Sequence, residues 1–94
     1  MHVRKHGMIM NSDALVALPG GPGTLEELME AITWKRLHLI SMPIFIVNSD
    51  GFYDPLLSLF ENMFRERFIS RELAKDWTVV SSVDELLEQI KSLV

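Results

Sequence analysis

Residues 14–27 read ALVALPGGPGTLEE and are the most informative segment of the sequence for the fold. Its first part, residues 14–18, is a short apolar run, a pattern typical of a strand buried on both faces of a sheet. A loop rich in glycine and proline follows at residues 19–23. From Thr24 onward, apolar residues recur at helical spacing. The stretch therefore predicts a strand, a glycine-rich loop and a helix in immediate succession.

Two further strand–helix units follow along the chain. Short apolar runs at residues 44–47 and 77–80 predict the second and third strands. A helical pattern begins near Pro55 after the first run, and another begins after the second, where Ser82 and Glu85 have the spacing of a capping box. Strands that alternate with helices favour a parallel sheet with right-handed crossovers. The predicted fold class is α/β, with helices flanking a parallel sheet in one domain.

The amino end does not complete this plan. We interpret residues 1–12 as the second half of a helix with no strand before it, so the domain is predicted to begin in mid-fold. A parallel sheet of three strands would then leave one edge uncovered. We therefore expect a partial domain, about half of a complete one, whose open edge is covered by further chain or by a second subunit.

Composition excludes several classes of protein. The 94 residues are 48% apolar and 23% charged, with a formal net charge of -4 and no cysteine. This balance excludes a disordered tail, and the lack of cysteine excludes disulfides, thiolate metal sites and a cysteine nucleophile. An acidic chain is a poor binder of nucleic acid backbones. Neither a membrane-spanning segment nor a signal peptide is evident, so we expect a cytoplasmic protein without nucleic acid or membrane partners.

The glycine loop is the strongest functional signal. Its glycines let the backbone approach a ligand closely, and the helix start offers free N–H groups and the positive end of a dipole, so phosphate is the natural occupant. The loop matches neither a Walker motif nor a dinucleotide fingerprint, which disfavours ATP hydrolysis and hydride transfer. A structural alternative stays open, because Thr24 and Glu27 have the spacing of a capping box.

Four motifs together extend this signal over most of the chain. They are MHxRK at residues 1–5, PGGxGTxxE at 19–27, ITW at 32–34 and NxDGFY at 48–53. This combination resembles the carboxyl-terminal half of the Lonely Guy family, whose members are nucleoside 5'-monophosphate phosphoribohydrolases that release cytokinins and are often mislabelled as lysine decarboxylases. One departure is the sequence RLH at residues 36–38, where the family usually has QLG. The family's first strands have no counterpart in this chain.

The resemblance implies a Rossmann-like fold, a homodimer with its active site near the subunit boundary, and no metal or cofactor. It implies hydrolysis of AMP or a cytokinin riboside 5'-monophosphate to the free base and ribose 5-phosphate, with Arg4 and Glu27 as the catalytic pair. The implied substrate-binding residues, with the glycine loop and Thr24 on the phosphate, are Lys5, Gly20, Gly21, Pro22, Gly23, Thr24, Leu25, Glu26 and Thr33.

These residue types suit the implied chemistry. Breaking an N-glycosidic bond builds positive charge on the ribose, so a carboxylate such as Glu27 can stabilise that charge or orient the attacking water. An arginine can hold a phosphate or ribose oxygen in a planar, bidentate manner. Two alternatives remain open: an inactive nucleotide- or phosphate-binding module derived from this family, and a dimerisation module.

Three polar residues have ordinary explanations. His2 and His6 are four residues apart, but without a third ligand they indicate a solvated helix end more than a metal site. Asp54 precedes Pro55 and is predicted to cap the second helix.

Overall fold

The computed structural model describes the backbone of residues 3–5, 8–10 and 14–92 and the side chains of residues 14–92. Five strands form one sheet, in the order β1 (Val3–Lys5), β2 (Met8–Met10), β3 (Leu15–Ala17), β4 (Ile44–Val47) and β5 (Trp77–Val80). The helices are α1 (Pro22–Arg36), α2 (Asp54–Arg65) and α3 (Val83–Lys91), with short 3-10 helices at Ser49–Gly51 and Arg71–Asp76. In this described part of the chain, no helix combines the length and the apolar character needed to cross a bilayer.

The predicted parallel sheet is confirmed. Leu15 of β3 pairs with Ile44 of β4, and Ile44 pairs with Trp77 of β5, all in parallel register. Helix α1 connects β3 to β4, and α2 connects β4 to β5. The three strands lie within the apolar runs that predicted them, and α1 begins at Pro22, two residues before the predicted start.

Side chains alternate between two cores, one on each face of the sheet. Leu15, Ala17, Ile44 and Ile46 pack with buried residues of α1 and α2 on one face. Val16, Phe45, Val47 and Val80 pack with Leu86 of α3 on the other. All four residues of β4 are buried as a result, which explains why this strand is a continuous apolar run and not an alternating one.

Residues 3–5 and 8–10 form strands, so the helix predicted for residues 1–12 is wrong. Strand β1 pairs antiparallel with β2, and β2 pairs antiparallel with β3. The backbone N–H and C=O groups along an open strand edge need partners, and β2 supplies them to β3 from within the chain. The edge of β3 is therefore covered from within the chain, and β1 and β5 are the edge strands of the sheet.

His2 and His6, which were interpreted as part of a solvated helix end, lie outside the described residues. Among the residues whose side chains are described, no group of three or more His, Asp or Glu residues is placed to hold a metal ion.

The two predicted helix caps have different outcomes. Ser82 caps α3 as predicted, because its Oγ accepts a hydrogen bond from the Glu85 N–H at 3.1 Å. The Ser81 hydroxyl and the Ser81 backbone N–H both donate to the Glu85 carboxylate. Both bonds lower the pKa of Glu85, the bond from the hydroxyl more than the bond from the backbone. Asp54 does not cap α2, because it is already the first residue of that helix and its carboxylate accepts from Asn48 Nδ2 at 2.9 Å. The capping prediction for Asp54 is wrong.

A histidine occupies the left-handed position that ends α1. His38 has a φ of 64°, and the Leu39 N–H donates to the Trp34 carbonyl at 2.8 Å, which is the bonding of a Schellman motif. This position favours glycine because other side chains are strained there. Of the two positions that differ from the family's usual QLG, position 38 is therefore the one where glycine has a conformational advantage.

Candidate functional site

A cleft of about 380 Å³ opens where β3 and β4 end. One wall is the start of the glycine loop and of α1, and the other wall is the segment between β4 and α2. The lining residues are Gly20, Gly21, Pro22, Leu25, Phe52, Tyr53, Pro55 and Leu56. In open α/β sheets, ligands bind outside the carboxyl ends of the parallel strands, which is where this cleft lies.

The amino end of α1 is free of side-chain capping. Gly21 is the N-cap residue, and its carbonyl accepts a hydrogen bond from the Leu25 N–H at 3.2 Å. Pro22 has no N–H, so the amides of Gly23 and Thr24 precede that bond and have no intrahelical acceptor. No acidic residue occupies the first turn. This helix start is therefore suited to an anion in both its donors and its dipole.

Thr24 lies inside the helix and not at its cap. Its side chain is 1% exposed, and its Oγ1 has no hydrogen-bond partner in the described part of the protein. The capping box of Thr24 and Glu27 does not form, because the helix begins upstream of Thr24. A buried hydroxyl without a partner is costly, and a bound group that accepts or donates a hydrogen bond there would remove that cost.

Glu27 lines a second, smaller cavity of about 60 Å³. Glu27 is half-buried, and Leu15 of β3 and Trp34 of α1 line the same cavity. Residues three apart on a helix have Cβ atoms about 5–6 Å from each other, so Glu27 follows Thr24 on one side of α1. The cavity and the glycine-loop cleft are distinct spaces: the cleft lies beside the first turn of α1, and the cavity lies beside the turns that follow.

The wall formed by the segment between β4 and α2 was not predicted as part of the site. Tyr53 is 5% exposed, and its hydroxyl donates to the Leu18 carbonyl at 2.6 Å. Burial raises the pKa of the Tyr53 phenol, so the hydroxyl remains a protonated donor at neutral pH. The ring of Phe52 meets that of Tyr53 edge to face, with centroids 4.9 Å apart. The position of this segment, directly after the second parallel strand, is the sequence signal that could have found it.

The sequence of this chain is similar to those of known proteins over almost its whole length. Residues 1–90 match the family model described as "Possible lysine decarboxylase". The chain belongs to this family, the Lonely Guy family. It is 42% identical over 94 residues, its whole length, to the Oryza sativa subsp. japonica protein named "Cytokinin riboside 5'-monophosphate phosphoribohydrolase LOG". It is also 42% identical over 91 residues, 97% of the chain, to the Arabidopsis thaliana protein named "Cytokinin riboside 5'-monophosphate phosphoribohydrolase LOG4".

The match to these Lonely Guy proteins covers only part of their length. The chain spans 39% of the rice protein and 42% of the Arabidopsis protein. It therefore corresponds to about two fifths of each of these curated relatives.

The structure brings some of the residues implied by the family resemblance together and separates others. Gly20, Gly21, Pro22 and Leu25 line the cleft, and Gly23 and Thr24 follow within the first turn of α1. Glu26 is exposed. Thr33 lies nine residues beyond Thr24, about 13 Å along the helix at 1.5 Å per residue. Its Oγ1 donates to the Met29 carbonyl at 2.9 Å.

Two of the implied residues have no described side chain. Arg4 and Lys5 lie in β1, where the backbone of Arg4 pairs with that of Ile9, and Ile9 pairs with Val16 of β3. Their side chains lie outside the described residues. The pairing of Arg4 with Glu27, like the role of each implied site residue, stays a prediction.

Proposed function

We propose that the protein hydrolyses the N-glycosidic bond of a nucleoside 5'-monophosphate and releases the free base and ribose 5-phosphate. The observation that carries this proposal is the Thr24 hydroxyl, which is buried without a partner beside a helix start that has no side-chain cap. A phosphate oxygen would give this hydroxyl its missing partner. The names of the relatives, which are phosphoribohydrolases of cytokinin riboside 5'-monophosphates, support the same substrate class.

The proposed phosphate site uses the chain's own backbone. The Gly23 and Thr24 amides and the Thr24 hydroxyl donate to the phosphate, and the α1 dipole adds to the attraction. Glycine at position 21 has nothing within 4 Å of where a Cβ would stand, so the loop is open to a ligand at that point. These contacts hold the nucleotide and leave its ribose to extend along α1.

Glu27 is the proposed acidic group of the reaction. It is one helical turn beyond Thr24, and its half-buried position keeps the carboxylate partly shielded from water, which strengthens its effect on nearby charge. As the bond to the base breaks, positive charge develops on the ribose, and the Glu27 carboxylate stabilises that charge or orients the attacking water. Arg4 is proposed as its partner, holding a phosphate or ribose oxygen.

We also propose that the enzyme is a cytoplasmic homodimer, as the family resemblance implies. Large apolar side chains near the end of α1 support a second subunit, because Trp34 is 42% and Leu39 is 67% exposed. Light scattering of the purified protein tests the dimer. A measured mass equal to that of one chain would contradict it.

A comparison of the parent protein with its Thr24→Val variant tests the proposed function. The parent is expected to release adenine from AMP, or the substituted base from a prenylated AMP, but nothing from adenosine. Valine keeps the shape of threonine and lacks the hydroxyl, so AMP affinity should fall by about tenfold or more. The free protein should become more stable by about 1 kcal/mol, because the buried group without a partner is gone.

Chromatography of the released base, calorimetric titration and denaturant unfolding measure these three quantities. A lower AMP affinity together with a higher stability would not arise from general damage to the fold, because such damage lowers both quantities. The proposal is refuted if the parent releases no base from any nucleoside 5'-monophosphate, and AMP binding without release would instead support a binding module. Equal AMP affinity of the parent and Thr24→Val would remove Thr24 from the phosphate site.

A further inference from the structure

One side chain joins the two walls of the cleft. Tyr53 belongs to the segment between β4 and α2, and its hydroxyl donates at 2.6 Å to the carbonyl of Leu18, the residue just before the loop at residues 19–23. The Tyr53 side chain is almost completely buried. This is a hydrogen bond between residues 35 apart in the sequence, so it fixes one loop relative to the other.

Tyr53 is itself held in place from its own backbone. Its N–H donates to Asn48 Oδ1 at 2.6 Å, and the same amide group of Asn48 donates through Nδ2 to Asp54. The Asn48 N–H donates to the Val80 carbonyl at 2.7 Å, which ties this residue to the end of β5. Tyr53 is therefore anchored to the sheet through Asn48.

The turn that leads to Tyr53 has little conformational freedom. Gly51 has a φ of 71°, and a Cβ at this position would lie 2.6 Å from Asp54 Oδ2. Asp50 also has a positive φ, of 54°. A left-handed conformation is unfavourable for a non-glycine residue such as Asp50 and persists only where the surrounding structure determines it. The segment is thus a rigid support for the Tyr53 hydroxyl.

We propose that Tyr53 is a positioning residue for the glycine loop, fixing the Leu18 carbonyl so that residues 20–24 are preorganised for the phosphate of a nucleotide. This inference rests on the proposed function, because it concerns the same phosphate site. A loop that is ordered before binding loses less conformational entropy when the ligand arrives, and affinity gains accordingly. The tyrosine acts through the loop and does not itself contact the phosphate.

The Tyr53→Phe variant separates positioning from bulk packing, since it keeps the ring and removes the hydroxyl. AMP affinity is expected to fall about five- to tenfold, the effect of losing one hydrogen bond, while the affinity for adenosine, which has no phosphate, stays within about twofold. Hydrogen exchange of the Leu25 amide, which donates to the Gly21 carbonyl at 3.2 Å, should accelerate by a similar factor in the free protein. Calorimetry and exchange monitored by NMR give these values.

A control variant on the opposite face of the sheet addresses general destabilisation. Leu86→Val removes a buried methylene from the core under α3 and should lower the melting temperature without changing the preference for AMP over adenosine. Equal losses of AMP and adenosine binding in Tyr53→Phe, or the same selective loss in Leu86→Val, would overturn the positioning role. If the parent and the Tyr53→Phe variant bind AMP equally well, the inference is overturned and the proposed function stands. A parent that binds no AMP would overturn the proposed function and the inference with it.

A second measurement does not depend on the variant folding. The chain contains one tyrosine, so fluorotyrosine incorporated during expression labels Tyr53 alone. The fluorine NMR signal should shift when AMP is added and stay in place with adenosine. If the fluorine signal does not shift with AMP although calorimetry shows that the protein binds AMP, Tyr53 is not coupled to the phosphate site.

Discussion

Replacing Glu27 by glutamine is expected to lower the rate of base release from AMP by at least about 100-fold, within the range that a positioned acid or base supplies. Glutamine keeps the size and the hydrogen-bonding reach of the side chain but carries no negative charge. The amide therefore cannot stabilise the positive charge that develops on the ribose. AMP affinity should change little, because the proposed phosphate contacts come from the glycine loop and Thr24.

Steady-state kinetics and calorimetry on the same preparation check both parts of this expectation. Glu88→Gln makes the same chemical change at an exposed position on α3 and serves as the control for lost charge. Glu27→Asp restores a carboxylate on a shorter side chain and should recover part of the lost rate. If Glu27→Gln releases base as fast as the parent, Glu27 is not the catalytic carboxylate.

Replacing Leu28 by alanine is expected to reduce the free energy of unfolding by about 2–5 kcal/mol. Leu28 is 0% exposed and packs in the core between α1 and the sheet, together with Leu15 and Ile44. Truncation removes buried apolar surface and leaves a cavity that the surrounding strands cannot fill. A domain of this size has a total stability of only about 5–14 kcal/mol, so this one change would leave a marginal protein.

Urea unfolding followed by circular dichroism measures this loss. The matched control is Leu59→Ala on α2, where the leucine is 48% exposed and the same truncation should change stability by no more than about 0.5 kcal/mol. Similar losses in the two variants would mean that the burial of Leu28 does not determine its contribution.

The sequence by itself determined the parallel part of the sheet. The apolar runs at residues 14–18, 44–47 and 77–80 contain β3, β4 and β5, because strands buried on both faces need continuous apolar sequence. The glycine loop between the first run and α1 was equally evident, because clusters of glycine and proline mark loops. These are local properties, and local sequence is sufficient to fix them.

Tertiary structure alone decided how the remaining parts are used. Residues 3–5 and 8–10 form strands because β3 has an edge to pair with, which no local pattern records. Thr24 lacks a partner because α1 begins upstream of it and buries its hydroxyl, and Tyr53 reaches Leu18 because β3 and β4 are neighbours in the sheet. Burial and long-range hydrogen bonds depend on which elements pack together, and a linear pattern holds that information only indirectly.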